Sequence, residues 1–536
     1  MKNTIQQFIF TSLITSCLII TSISFVGAQP PHQTDAKIDL DPLSNIQITF
    51  TLKEIRGFDT IDALTDPDFY VKLTIDDTEY ISPTWKNMNY VTDPNWEVTH
   101  DVPDDQEWVY FHLQLWDDNL LIDTLCDISG HEEETSYVNS SDVELWYNTK
   151  IGAWFGEDYR EPYYFNADPS GYGRLNGCDD NSIYQDDNDC ELRFDITQTD
   201  PDGDGIPTWT ETYLYHTDPA VDNTGEDYDD DGIPIEWEHK WGLFDYWYNW
   251  ETEEYYYQSW FDPFYYDEQH LQDPDEDGLE NIEEYLTSQW GSDPYRQDIF
   301  LELDQMALGP HGEGVFIPEL SKIMLRDAYA KYNIMFFLDD HTEEDMDGGE
   351  LVPFDENVSW EETQDIYWKY FMHQDLEHWK RGVFHYGIVT YHHDWFHGFC
   401  WHSMLDMGND TISARRDCIH IATKEHEDLP HKYPLMRIIG RKSIDKEYHR
   451  AIIYASAIMH ETGHVLGIFH GNTPGCDDQT GKFPWHLNWW KWLPYKSCMN
   501  YGWMYTIVDY SDGSRGRNDF DDWDRIDLTA FQQELW

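Results

Sequence analysis

Three rhythms in this 536-residue chain predict a multidomain protein with three architectures in series. These are an all-β sandwich over residues 46–196, a spacer of acidic loops over residues 197–295, and an α/β domain over residues 296–536. In the first part apolar and polar residues alternate, as in Ile46-Gln47-Ile48-Thr49-Phe50 and Phe69-Tyr70-Val71-Lys72-Leu73, which is the period of half-buried strands. In the second, an Asp-x-Asp-x-Asp-Gly pattern recurs three times, and internal repetition of that kind marks a repeated structural unit. In the third, apolar runs of strand length alternate with amphipathic helical stretches.

Ahead of these parts, Lys2, the apolar run from Phe8 to Val26 and the small residues Gly27 and Ala28 read as an export signal over residues 1–28, followed by a polar leader over 29–45. The expected location is secreted or extracellular, the cell surface included. Cys17 lies within the run without a lipobox, so a lipoprotein form is the minor alternative. No later stretch is long enough to span a membrane. The formal net charge is −72, from 105 Asp and Glu against 33 Lys and Arg, which argues against nucleic acid as a partner. The excess has two explanations, carboxylates gathered as calcium ligands and a surface adapted to high salt. After removal of the signal seven cysteines remain. Their spacing suggests disulfides Cys178–Cys190, Cys400–Cys418 and Cys476–Cys498 with Cys126 left over, although spacing leaves other connectivities open. Asn139, Asn357 and Asn409 begin N-x-S/T sequons.

Within the sandwich, Asp66-Pro67-Asp68-Phe69-Tyr70-Val71-Lys72, Asp93-Pro94-Asn95-Trp96 and Leu115-Trp116-Asp117-Asp118-Asn119 with Asp123 resemble the strand and loop signatures of C2-type β-sandwiches. The resemblance implies calcium held at one end by Asp66 or Asp68 with Asp117, Asn119 and Asp123, and a calcium-dependent contact with a surface or a lipid.

In the spacer, Asp200, Asp202 and Asp204 precede Gly205 and Glu211; Asp227, Asp229 and Asp231 precede Gly232 and Glu238; Asp273, Asp275 and Asp277 precede Gly278 and Glu284. Carboxylates at positions one, three and five of a loop converge on one ion, Gly at six allows the tight turn, and Glu at twelve can bind through both oxygens, so Ca²⁺ is the expected ligand. With an apolar residue at seven (Ile206, Ile233, Leu279), the loops resemble thrombospondin type-3-like or EF-hand-like repeats, which implies a rigid spacer. Helices are expected to follow each loop, and an aromatic-rich insertion from Phe244 to Trp260 lengthens the second repeat.

The α/β domain is expected to open near Arg296 with a strand over residues 299–303, a helix over 318–331, a strand over 334–338, a second helix over 361–378, strands over 383–391 and 418–423, and a closing helix over 520–536. The most informative stretch is His460-Glu461-Thr462-Gly463-His464-Val465-Leu466-Gly467-Ile468-Phe469-His470, preceded by a helical run without Gly or Pro. His460 and His464 lie one turn apart on one face, where both imidazoles can share a zinc ion. Glu461 stands beside them as the base for the attacking water, Gly467 lets the chain turn sharply, and His470 returns as the third nitrogen ligand. Asp339 to Glu350 and His392, His393, His397 and His402 read as a solvated loop and as rim or packing residues.

Farther on, Ser497-Cys498-Met499-Asn500-Tyr501-Gly502 resembles the Met-turn of metzincin metallopeptidases. That resemblance implies a metzincin-like catalytic domain over most of residues 296–536, with Met499 beneath the metal and Tyr501 as a Tyr that swings on and off it. The expected function is a secreted zinc-dependent endopeptidase acting on a protein or peptide substrate. The competing expectation is a calcium-dependent cell-surface or matrix-binding protein with a vestigial peptidase domain.

Overall fold

Alternation places one face of each N-terminal strand inside, and two such faces must cover one another. The computed structural model describes residues 42–62, 65–130, 141–158, 173–180, 183, 185, 188–242, 244–249, 254–266, 268–340, 349–393, 397–408, 411–432 and 446–533. The expected export signal, most of the leader and the sequons at Asn139 and Asn409 lie outside the described residues.

One sheet of the sandwich has the order Arg174–Asn176, Cys190–Gln198, Gln47–Gly57, Tyr90–Val91, with Trp96–Asp101 also on Gln47–Gly57. The other has the order Thr78–Ile81, Phe69–Ile75, Trp108–Asp117, Val143–Asn148, Ala153–Gly156, with Thr124–Cys126 also on Trp108–Asp117. Ile48, Phe50 and Leu52 of the first sheet and Val71, Leu73, Phe111 and Leu113 of the second share one buried cluster. The N-terminal β-sandwich is thus present, built from antiparallel pairs.

Residues 197–295 are packed onto both neighbours. The helices that leave the three loops are short: Thr208–Thr210 running into a π turn at Glu211–Tyr215, then Ile235–Trp241, then Asn281–Thr287. The aromatic insertion is a hairpin, Phe244–Asn249 against Glu254–Ser259. Its Tyr257 hydroxyl accepts from Asn148 Nδ2 at 2.8 Å and donates to Glu107, both in the sandwich. At the far end the Asp298 amide donates to Asp277 Oδ2 at 2.7 Å, and Gln532 Nε2 donates to the Gly278 carbonyl. The sandwich also meets the C-terminal domain directly. Arg174 Nη2 and Asn176 Nδ2 donate to the Ala330 carbonyl at 3.0 and 2.9 Å, satisfying an end carbonyl of the helix Glu319–Ala330. Beside them Arg56 Nη1 lies 3.2 Å from Asp327.

The C-terminal sheet has the order Met335–Asp339, Asp298–Met306, Phe384–Thr390, Thr411–Ala422, Gly398–Gly408, with Leu351–Val352 also on Asp298–Met306. All pairs are parallel except the last, so Gly398–Gly408 is an antiparallel edge strand, which the sequence pattern did not disclose. Every residue of Asp298–Met306 is buried, as a strand covered on both faces must be. The helix Lys446–Val465 packs on one face with Ile299, Leu301, Leu303, Tyr454 and Ile458 in a shared cluster. Phe300, Phe337, Tyr367 and Tyr386 fill the other face.

Three expectations are corrected. The helix over 361–378 ends early: Trp360–Ile366 continues only as a π turn to Phe371, because His373 and Gln374 take left-handed φ of 45° and 63°. The run 520–536 is no closing helix; among the described residues it forms the 3-10 turns Trp523–Arg525 and Leu528–Gln532, and the Asp527 side chain stops the first from joining the second by capping the Thr529 amide at 3.1 Å. The seven described cysteines are free thiols, so the three expected disulfides are absent. Closeness in sequence misled here. Cys178 Sγ donates to Asp189 Oδ2 at 3.4 Å, Cys190 has Cys126 as its side-chain partner, and Cys400 stands opposite Ile419.

Candidate metal centre

The helix Lys446–Val465 carries His460, Glu461 and His464 on its last buried turns. His460 Nδ1 lies 2.9 Å from the Cys498 carbonyl, His464 Nδ1 2.7 Å from the Ile468 carbonyl, and His470 Nδ1 2.9 Å from the Cys476 carbonyl. A carbonyl only accepts, so all three imidazoles carry a proton on Nδ1 and present Nε2. Histidine ligands are oriented for a metal in this way. Gly467 ends the helix at φ 94°, the left-handed conformation that lets the chain turn toward His470.

Asp477 completes the group, and sequence reasoning missed it. Its two oxygens lie 3.2 Å from His460 Nε2 and 3.2 Å from His464 Nε2, so a negative group stands between the imidazoles where a cation is expected. The only sequence signal is an acidic residue soon after His470; the Asp477 amide donating to the Met499 carbonyl at 3.2 Å is what fixes its place. Burial raises the Asp477 pKa, but hydrogen bonds and charge from His460 and His464 hold it well below the usual carboxylate range. Burial works against protonation of His460, yet Asp477 and Glu461 raise it above the ordinary value. Burial pushes Glu461 up against the pull of His460 and His464. Its carboxylate accepts from the Cys400 amide, and a Cβ on Gly398 would stand 2.8 Å from its Oε1, so the edge strand lies directly against the base.

Met499 is fully buried under this helix. A Cβ on Gly463 would stand 2.6 Å from its Sδ and 3.0 Å from the Tyr510 hydroxyl, which makes Gly463 the close-packing point between helix and turn. The Tyr501 ring stacks on His460 at 5.6 Å, and its hydroxyl bonds to Asp477, which with burial keeps it protonated. His460, Glu461 and His464 offer donor atoms within ligand reach of one another, as do His464, Cys476 and Asp477, and nitrogen, sulfur and carboxylate donors of this kind suit a zinc ion.

Each acidic loop gathers its first three carboxylates within ligand reach of one another: Asp200, Asp202, Asp204; Asp227, Asp229, Asp231; Asp273, Asp275, Asp277. The glycines at position six have φ of 86°, 100° and 98° for Gly205, Gly232 and Gly278. Several buried oxygens have no hydrogen-bond donor: both of Asp202 and of Glu238, Oδ2 of Asp229 and of Asp275, Oε2 of Glu211 and Oε1 of Glu284. Oxygens left unpaired inside a protein call for a cation. Burial first, and then the neighbouring aspartates, push Glu211 up to about 8 and Glu238 up to about 9.

At the sandwich tip the outcome differs. Asp117 accepts from the Asp68 amide at 2.7 Å and from Asn119 Nδ2 at 2.7 Å, and Asp123 accepts from the Tyr70 hydroxyl at 2.9 Å. Asp68, Asp117, Asn119 and Asp123 are therefore together, with these oxygens already engaged, while Asp66 is exposed. Beyond them Leu120, Leu121 and Ile122 are 100%, 92% and 83% exposed.

No family model and no curated protein matches this chain. Among solved structures it is similar to human GIVD cytosolic phospholipase A2 in complex with methyl gamma-linolenyl fluorophosphonate, at 13% identity over 28% of this chain and 17% of that one, with a TM-score of 0.16. It is also similar to a C2 domain, at 12% identity over 28% of this chain and 97% of that one (TM-score 0.16). A C2 domain of plant Extended Synaptotagmin 1 matches at 11% identity over 29% of this chain and 95% of that one (TM-score 0.17). The chain spans 17% of the phospholipase structure, and overlays at these scores say nothing of its chemistry. What stands on the chain's own strand pairing is an N-terminal β-sandwich.

Proposed function

We propose that this chain is a secreted, metzincin-like zinc-dependent endopeptidase. The observation that carries the reading is the commitment of all three motif imidazoles, through Nδ1, to backbone carbonyls. His460, His464 and His470 would hold the ion, with Asp477 within reach of the same place. Zinc, when bound, supplies Lewis-acid polarisation of the scissile carbonyl and makes water a better nucleophile. Glu461, held by the Cys400 amide, takes the proton of the attacking water and hands it to the leaving amine. A carboxylate buried enough to have a raised pKa suits both steps. The substrate backbone passes beside Gly398 and Cys400 on the edge strand, and Tyr501 donates its hydroxyl to the developing oxyanion.

The test is Glu461→Gln. It should retain zinc and fold but lose peptide cleavage by roughly 10²–10⁴-fold, because the donors survive and the proton acceptor does not. Turnover near the wild-type rate in a peptide-library digest would overturn the mechanism.

A second reading concerns attachment. Three consecutive apolar side chains at a loop tip, beside Asp117, Asn119 and Asp123, favour a C2-like, calcium-dependent contact with a lipid surface. Co-sedimentation with vesicles containing phosphatidylserine should require both calcium and the apolar tip, and should fail for Leu121→Asp. A calcium-dependent surface- or matrix-binding protein with an inert peptidase domain would sediment in the same way but cleave nothing.

A further inference from the structure

Resting on the peptidase reading, we propose that the exposed face of the segment Gln479–Lys496 is a docking surface for substrate polypeptides, selective for chains that carry aromatic or branched apolar side chains next to carboxylates. The first observation is charge. Asp and Glu number 105 in 536 residues, yet none occurs from Gln479 through Val508, where Lys482, Lys491 and Lys496 do occur. Most of the chain repels an acidic peptide, and this stretch is where one can approach.

The second observation is exposed apolar area held in a fixed shape. Trp485, Leu487 and Trp490 are 69%, 89% and 59% exposed. Large side chains are left in water at such cost where they serve contact. The segment is nevertheless anchored. Asp478 Oδ2 accepts from Asn488 Nδ2 and Trp492 Nε1 at 2.7 Å each, and Trp490 Nε1 donates to the Pro484 carbonyl at 2.8 Å. A preorganised surface loses little freedom on binding.

The third observation is continuity with the metal centre. Trp489 lies 3.4 Å from where a Gly502 Cβ would be, and Lys482 Nζ lies 4.4 Å from the centre of the Tyr501 ring, which itself stacks on His460. A chain lying on this surface therefore leads into the site, which identifies the occupant as the polypeptide to be cut.

The experiment uses the full zinc-loaded chain and two fluorogenic peptides, one with Leu and Phe flanked by Glu, the other with Ser and Gln in those places. Trp485→Ala/Leu487→Ala should raise KM for the first peptide at least about tenfold, the cost of losing even one of the two apolar contacts, with kcat within about twofold. Lys491→Gln/Lys496→Gln should raise KM for the Glu peptide and flatten its salt dependence. Tyr265→Ala, which removes a 68% exposed ring from the spacer, should change neither constant. Tryptophan-fluorescence titration in the Glu461→Gln background should show the same loss of affinity without turnover. Unchanged KM and affinity in both double variants overturn the proposal. So does a double variant that abolishes self-association in sedimentation, or vesicle binding, while peptide affinity stays constant. If the wild type binds the first peptide selectively but cuts nothing, the peptidase reading fails and the docking surface stands.

Discussion

Replacing the twelfth-position glutamates of the acidic loops, one at a time, by glutamine should have opposite effects with and without calcium. Without a cation, Glu238 sits with both oxygens unpaired, and burial with Asp231, Asp229 and Asp227 pushes it up to about 9. From an ordinary 4.5, that displacement corresponds to at most about 6 kcal/mol of cost for the ionised form. The neutral amide of Glu238→Gln avoids this cost, so the calcium-free variant should melt at or above the wild type. With calcium, the carboxylates ionise onto the ion. At a free concentration a hundredfold above Kd each site contributes about 2.7 kcal/mol, and three contribute roughly 8 kcal/mol, comparable with the whole stability of a domain. At roughly 2–4 °C per kcal/mol, losing one site should lower the calcium-loaded Tm by about 5–10 °C. Calorimetry of wild type, Glu211→Gln, Glu238→Gln and Glu284→Gln, each in calcium and in a calcium-selective chelator that spares zinc, reads both signs. Limited proteolysis should open residues 197–295 only after chelation. Identical melting curves after verified calcium removal, or variants destabilised equally in both conditions, would refute the reasoning.

Gly463→Ala should destabilise the C-terminal domain by about 1–3 kcal/mol and, on the proposed reading, lower zinc occupancy, because its Cβ lands 2.6 Å from Met499 Sδ in a fully packed place; an unchanged urea midpoint and zinc content would show that the helix and the turn at Met499 do not press on one another. Burial pushes Asp509 up from 3.8 to about 7, against the pull of Lys331. Between those values the folded state holds a proton that the unfolded chain has released, so stability falls as pH rises through the window, by at most about 4 kcal/mol. Asp509→Asn should flatten that fall in urea titrations from pH 4 to 7, and a slope equal to the wild type would sink the assignment.

Features whose cause is local could be read from the sequence. Period-two alternation placed the strands Gln47–Gly57 and Phe69–Ile75, and the helical run without Gly or Pro put His460 and His464 on the last turns of Lys446–Val465. Glycines at the sixth loop position announced their positive φ. Features made by backbone contacts across long separations left no such trace. Asp477 reaches the imidazoles because its amide meets the Met499 carbonyl, and no residue type encodes that bond. The edge strand Gly398–Gly408 mixes Cys, Trp, His, Ser and Met, so neither face carries a clean period. The spacer was expected to be rigid, but its seams with the sandwich and the C-terminal sheet depend on Tyr257, Asp298 and Gln532, each remote in sequence from its partner.

Gln532 also ties together parts of the chain that are far apart in sequence. Its Nε2 donates to the carbonyl of Gly278 and, at 2.9 Å, to that of Gly382, joining the turn Leu528–Gln532 to the third acidic loop and to the residues just before the central strand Phe384–Thr390. The spacer and the C-terminal sheet are therefore clamped by one side chain, and Gln532→Ala would leave two carbonyls on opposite sides of that seam without their shared donor.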